Sequence, residues 1–109
     1  MMDYEYYPEA LEHVIRKVAE KFKGDLIVTE NGLAAADDTR RVAFIGQALQ
    51  GVQNCIEDGL PVKGYCYWSL LDNFEWQKGY SMTFGLIAVD RSTQKRMPKE
   101  SLSYLGSWR

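Results

Sequence analysis

Two short strand-like runs, DLIVT at 25–29 and VKGYCYW at 62–68, are separated by a stretch long enough to hold a helix. This spacing restricts the topology more than any other feature of the chain. Tight turns join only antiparallel neighbours, whereas parallel strands need a crossover of a dozen or more residues, usually an α-helix. The intervening residues supply one: Asp38 or Thr39 can cap a helix running to about Asp58, with Val42, Ile45, Leu49, Val52 and Ile56 along one face. Gly59 and Pro61 close it. DLIVT is apolar without alternation, the pattern of a strand buried on both faces. The spacing therefore predicts an α/β arrangement with parallel strands bridged by a helix, in which ligands bind at the carboxyl ends of the strands.

The flanking segments extend the alternation. Pro8 to Phe22 places Leu11, Val14, Ile15, Val18, Ala19 and Phe22 at helical spacing, with Pro8 suited to the first turn and Gly24 to the stop. SLLDNFEWQKGYSMT reads as a long loop, FGLIAVD as a strand-like segment, and a short helix carrying Leu102, Tyr104 and Leu105 starts near Pro98. Two parallel strands and three helices do not close a sheet, and a lone two-stranded pairing is marginal. The chain reads as a slice of something larger, whose open edges favour self-association or a complementary chain.

Composition removes several function classes. The 109 residues are 46% hydrophobic and 26% charged, with net charge −2, an ordinary globular balance that disfavours nucleic acid as a partner. No apolar run approaches the roughly 18 residues of a membrane span. The opening MMDYEYYPEA is acidic and aromatic, unlike a secretory leader. Cys55 and Cys66 lack metal-ligand spacing and lie in segments that look buried; they read as free core thiols of a reducing cytoplasm.

Three carboxylates fall near strand ends: Glu30, Asp72 and Glu75. Glu30 could simply begin a polar loop, or be aimed by its strand at a substrate. Asp72-Asn73 suits turn chemistry, since such side chains bond their own backbone. Glu75 lies between Phe74 and Trp76, and Tyr65, Tyr67, Trp68, Phe74, Trp76, Tyr80 and Phe84 all crowd into the same stretch. Carboxylates among indole rings at a strand mouth meet the needs of a sugar site, where an apolar pyranose face lies on a ring and hydroxyls need fixed partners. The competing reading of Trp68 and Trp76 is that they plug a core.

VTENG at 28–32, GYCYWSLLDNFEW at 64–76 and GYSMTFGLIAVD at 79–90 resemble glycoside hydrolase family 1, the β-glucosidase family. EYYPEAL at 5–11 is similar to the segment preceding the family's seventh barrel helix, and RMPKES at 96–101 to its closing motif. The resemblance implies that residues 1–109 are a partial catalytic domain, the C-terminal quarter of a (β/α)8 TIM barrel. Residues 25–29 would be strand seven, 39–58 helix seven, 62–68 strand eight, and 98–109 part of helix eight. A complete barrel takes about 250 residues.

Family members are retaining glycosidases with two glutamates, acting on β-glucosides and related sugars. The nucleophile of the T-E-N-G motif maps onto Glu30; the acid/base, at the end of strand four, has no counterpart here. Trp68 corresponds to the platform under the sugar, Glu75 to the carboxylate that binds glycone hydroxyls, Trp76 to an indole donor, and Phe84 to a pocket wall. Glu75-Trp76 is similar to members that take plain rather than 6-phosphorylated sugars. Thr83 stands where many members have arginine, and the loop after Glu30 is short. No metal or organic cofactor is implied, because carboxylates suffice for the chemistry. The alternatives of another class are a non-catalytic sugar-binding module and one part of a split barrel completed by a second chain.

Overall fold

The computed structural model describes residues 1–2 and 4–109. Helix α1 (Ala10–Lys21) leads into strand β1 (Leu26–Val28), helix α2 (Asp38–Glu57) and strand β2 (Val62–Tyr65). Then follow a long loop with a 3-10 turn at Trp76–Lys78, strands β3 (Ile87–Val89) and β4 (Arg96–Pro98), and helix α3 (Glu100–Ser107). β1 and β2 pair in parallel, with α2 as the crossover. Their register shifts once: Leu26 faces Val62, but Ile27 faces Gly64 and Val28 faces Tyr65, leaving Lys63 as an extra residue in β2.

The strands are shorter than the apolar runs that announce them. Beyond Val28 and Tyr65 the chains stay in contact, but through single bonds such as Cys66 N to Val28 O at 2.8 Å and Trp68 N to Asn31 O at 2.9 Å. FGLIAVD contributes only Ile87–Val89 as strand, in an antiparallel hairpin with β4. Phe84 and Leu86 instead bond the backbone of Ser69. Pro98 ends β4, so α3 begins two residues beyond the expected start.

α2 is capped by Asp37, one residue before the expected position; its Oδ1 accepts from the Thr39 amide at 2.9 Å and the Thr39 hydroxyl at 2.6 Å. At the other end Gly59 adopts φ +85°, the left-handed conformation that closes a helix without a Cβ penalty. The buried face of α2 is Phe44, Ile45, Ala48, Leu49, Val52 and Cys55. It feeds two clusters, one with Ile15, Val28 and Val62 on the sheet and α1, the other with Leu86 and residues of α3.

Several residues expected inside are outside. Ile27 is 62% exposed, and Val14, Val18, Phe22 and Ile56 are also exposed. Helices cover only one face of the sheet, so the opposite face of β1, and the part of the α1 stripe that α2 does not reach, have no neighbour within the chain. Cys55 is buried as expected, but Cys66 is exposed. Cys66 lies between Tyr65 and Tyr67, which pack toward the helices, so strand alternation turns it to the uncovered face. The shape agrees: the described residues form a slab of 47 × 30 × 21 Å with a radius of gyration of 15.0 Å, against about 13 Å for a rounded domain of about 100 residues.

A buried polar cluster lies at the start of α2. Arg41 is fully buried on the inner face of α2, and its Nη1 donates to Asp38 Oδ1 at 2.6 Å. Asp38 also accepts from the amide and hydroxyl of Ser101, at 2.9 and 2.8 Å, anchoring α3 to α2. Burial alone raises the Asp38 carboxyl, but hydrogen bonds from Arg41 and Ser101 outweigh it and hold the carboxyl below its ordinary value.

Two outcomes follow for stability. Ile45 is fully buried, so Ile45→Ala is expected to cost about 2–5 kcal/mol, read as a lowered urea midpoint. A carboxyl lowered in the folded state stabilises above its unfolded value, about 3.9, and that contribution is lost as pH falls through the folded value. The urea midpoint is therefore expected to fall as pH drops below about 4. Asp38→Asn is expected to flatten that decline while lowering the midpoint at neutral pH.

Candidate active site

The carboxyl ends of β1 and β2 open on the same side, as parallel pairing requires, and each delivers one candidate residue. Glu30 follows β1 by two positions and is exposed at the strand mouth; Trp68, after β2, is 39% exposed. The loop between Glu30 and α2 is fixed from the β2 side at four points. The Trp68 amide donates to the Asn31 carbonyl at 2.9 Å, and the Tyr65 hydroxyl donates to Asn31 Oδ1 at 2.8 Å. The Tyr67 hydroxyl meets both the amide and the carbonyl of Leu33 at 3.3 Å. Gly32 lies so close to β2 that a Cβ there would fall 1.9 Å from the Trp68 carbonyl oxygen. Burial pushes both tyrosine phenols up from their ordinary value, which keeps them protonated donors. Glu30 is thus placed by backbone and tyrosine contacts of its neighbours.

The loop after Trp68 is ordered by a second set of bonds. The Trp68-Ser69 peptide is cis. Ser69 exchanges backbone bonds with Phe84 and Leu86, at 3.3 and 3.0 Å. Asp72 does not serve its own turn: its Oδ1 accepts from the Gly85 amide at 2.8 Å and from Lys99 Nζ at 3.0 Å. Asn73 does act locally, donating to Ser69 Oγ and the Leu71 carbonyl. Lys99 also donates to the Gly85 carbonyl at 2.8 Å, so α3 reaches back to hold the segment after Phe84.

Glu75 and Trp76 stand together further along. The Glu75 amide donates to the Gly79 carbonyl at 2.7 Å, closing the small turn that holds Trp76 at its apex. Trp76 is 80% exposed, with φ +43°, a left-handed backbone rarely adopted by a bulky side chain. Neither indole is a core plug. Glu75 and Trp76 line a depression with Met2, Gln77 and Lys78. Phe84 is elsewhere, 9% exposed in a cavity floored by Gly32, Leu33 and Phe44, directly behind the Glu30 loop. The structure therefore ties the residue after Glu30 to Trp68 and keeps Glu75 and Trp76 on one turn, while Phe84 lines a cavity with Gly32 and Leu33 of the loop that follows Glu30.

The sequence profile of glycosyl hydrolase family 1 matches residues 1–108. The chain belongs to that family. β-Glucosidase A of Thermotoga maritima is 40% identical over 110 residues, covering 92% of this chain and 25% of its own length. The solved structure of an apo β-glucosidase, designated 1317, superposes with a TM-score of 0.95 at 52% identity, over 97% of this chain and 26% of its own. The T. maritima β-glucosidase solved with cyclophellitol superposes with a TM-score of 0.89 at 39% identity, over 95% of this chain and 26% of its own. The chain thus spans about a quarter of the length of these relatives, and its fold is the C-terminal quarter of the (β/α)8 barrel of family 1.

Sequence reasoning passes over Arg41 and Lys99, and assigns Asp38 only a capping role and Asp72 only turn chemistry. The signal for Arg41 was available: it falls on the same helical stripe as Phe44, Ile45 and Ala48, where a charged residue must be paired. Among the described residues, no group of three or more histidine, cysteine or carboxylate side chains could hold a metal ion, and no helix is long and apolar enough to cross a membrane.

Gly32→Ala tests the packing of the site. With backbone as the obstacle, the loop has to move away from β2, and the Trp68 amide is expected to exchange with solvent at least about tenfold faster, while the Leu26 amide, bonded to Pro61, keeps its protection.

Proposed function

We propose that this chain carries the nucleophile and glycone-binding portion of a retaining β-glucosidase-type glycoside hydrolase, as a partial catalytic domain over residues 1–109. The observation that carries the reading is Glu30, within a T-E-N-G motif, at the carboxyl mouth of β1, where the next residue, Asn31, is bonded to the backbone of Trp68 beyond the end of β2. In this role the ionised Glu30 attacks the anomeric carbon and the glycosidic C–O bond breaks, giving a covalent glycosyl-enzyme that water then hydrolyses. Trp68 lies under the sugar, Glu75 accepts from glycone hydroxyls, Trp76 donates through its indole N–H, and Phe84 walls the pocket behind the Glu30 loop. The exposure of Trp76 on a strained backbone supports a ligand-facing role for that turn. The substrate class is a terminal β-D-glucoside or a related sugar, and exposed Cys66 fits a reducing, cytoplasmic setting.

Retaining chemistry needs a second carboxyl about 5–5.5 Å from the first, to protonate the leaving oxygen and then deprotonate water. The family acid/base motif has no counterpart in these residues, and Glu75 is committed to hydroxyl contacts. The working site therefore includes a barrel portion supplied by another segment or chain, with uncovered Ile27, Cys66 and Trp68 turned toward it.

The test is to refold the chain with the N-terminal three quarters of a family 1 barrel and follow an aryl β-glucoside with a poor leaving group. The assembled protein is expected to turn over, and Glu30→Gln to return it to background. The chain alone is expected to be slower by at least ~10²–10⁴-fold, the usual contribution of a general acid. Turnover by the pure chain that Glu30→Gln abolishes would overturn the need for a second segment. Glucose binding that survives Glu30→Gln and disappears in Trp68→Ala, without assembled turnover, would mark a sugar-binding module instead.

A further inference from the structure

We propose that Arg41 is a positioning residue for the active site: its guanidinium clamps the loop that follows Glu30 to the loop that precedes Phe84, and so sets the alignment of nucleophile and pocket. This rests on the reading of Glu30 given above. Arg41 Nη2 donates to two carbonyls at once, Ala35 O at 2.6 Å and Thr83 O at 2.5 Å. Ala35 lies in the short segment between Glu30 and α2, and Thr83 immediately precedes Phe84. The same two residues meet directly, the Ala35 amide donating to Thr83 O at 3.1 Å and the Thr83 hydroxyl to Ala35 O at 2.9 Å.

The other end of the fork is fixed as well. Nη1 is held by Asp38, which is itself tied to Ser101, so the guanidinium cannot swing with the loops. Phe84 in turn accepts from the Ser69 amide, which carries the clamp to the residue after Trp68. Among the described residues Nε finds no partner. A buried cation with an orphaned N–H is a poor way to stabilise a core, since apolar residues of similar volume often do as well or better. A planar group that bonds both loops through Nη2 while Nη1 is anchored on Asp38 explains its use here, and lysine, a single point charge, cannot hold the loops and the anchor in that fixed geometry.

Backbone amide exchange in the 109-residue chain reads the clamp without reference to catalysis. Arg41→Lys is expected to speed exchange at Ala35 and at Leu86 at least about tenfold while leaving Cys66, bonded to Val28, unchanged. Thr83→Val, which keeps the guanidinium, is expected to stay within about threefold of wild type at Ala35. Equal protection in Arg41→Lys and wild type overturns the proposal, as does Thr83→Val exposing Ala35 as much as Arg41→Lys does. Should Arg41→Lys fail to fold, nitrogen NMR of the wild-type guanidinium decides: resolved, slowly exchanging Nη protons support the clamp, and a freely rotating averaged signal overturns it.

The consequence for chemistry is read in the assembled enzyme, normalised to active sites titrated by trapping the glycosyl-enzyme. A small misplacement can cost about 10²-fold, so Arg41→Lys is expected to lower kcat by roughly 10–100-fold with KM within about threefold of wild type. An unchanged kcat beside loosened loops would refute the alignment role. If wild-type assembly shows no turnover, the reading of Glu30 fails while the exchange result still stands or falls alone.

Discussion

Burial of α2 is the constraint on which the other elements depend. Its underside covers β1 and β2, its flanks receive α1 and α3, and its first turn holds Asp38 and Arg41. A parallel pair of three- and four-residue strands has little stability of its own. The helix supplies what the pairing lacks: its one apolar face meets one cluster through Phe44, Ile45, Ala48 and Leu49 and the other, a turn further on, through Val52 and Cys55. The close contact of Gly51 with Glu12 of α1, and of Gly46 with the Tyr104 ring of α3, shows how tightly both neighbouring helices sit on it.

Much of this was legible from residue order. The strand–helix–strand spacing dictated parallel pairing, and the punctuation at Gly59 lies where the helix ends. Glu30 and Trp68 were legible as a pair because strand ends in this topology open on one side. Less legible was which apolar residues would be inside. Ile27, Val14 and Val18 have the chemistry of core residues but no partner within the chain, because periodicity reports a preference for burial rather than its fulfilment. The polar contacts were the hardest. Asp72 resembles a turn residue in sequence, yet its partners are Gly85 and Lys99, far along the chain. Local statistics carry no information about that distance.

The division of the site follows the same logic. Glu30 is placed by its strand and by contacts of Asn31 and Leu33, so its position is set by the backbone and needs no partner for the carboxylate itself. Glu75 and Trp76 are placed by a compact turn whose backbone bonds are nearly all internal. The first depends on the sheet and on α2, while the second is a local unit mounted on the long loop. Lys99 and Asp72 join the segment behind that loop to α3, so the last helix of the chain braces the mouth it does not line.

The extra residue in β2 has an effect out of proportion to its size. Strict alternation from buried Val62 would turn Gly64 and Cys66 inward and leave Tyr65 and Tyr67 outside; with Lys63 set aside, both tyrosines share the covered face with Val62. Cys66 and Trp68 fall on the open face by the same step. The two hydroxyls that hold Asn31 and Leu33 therefore reach the loop from the covered side, because one exposed lysine resets the phase of every residue after it.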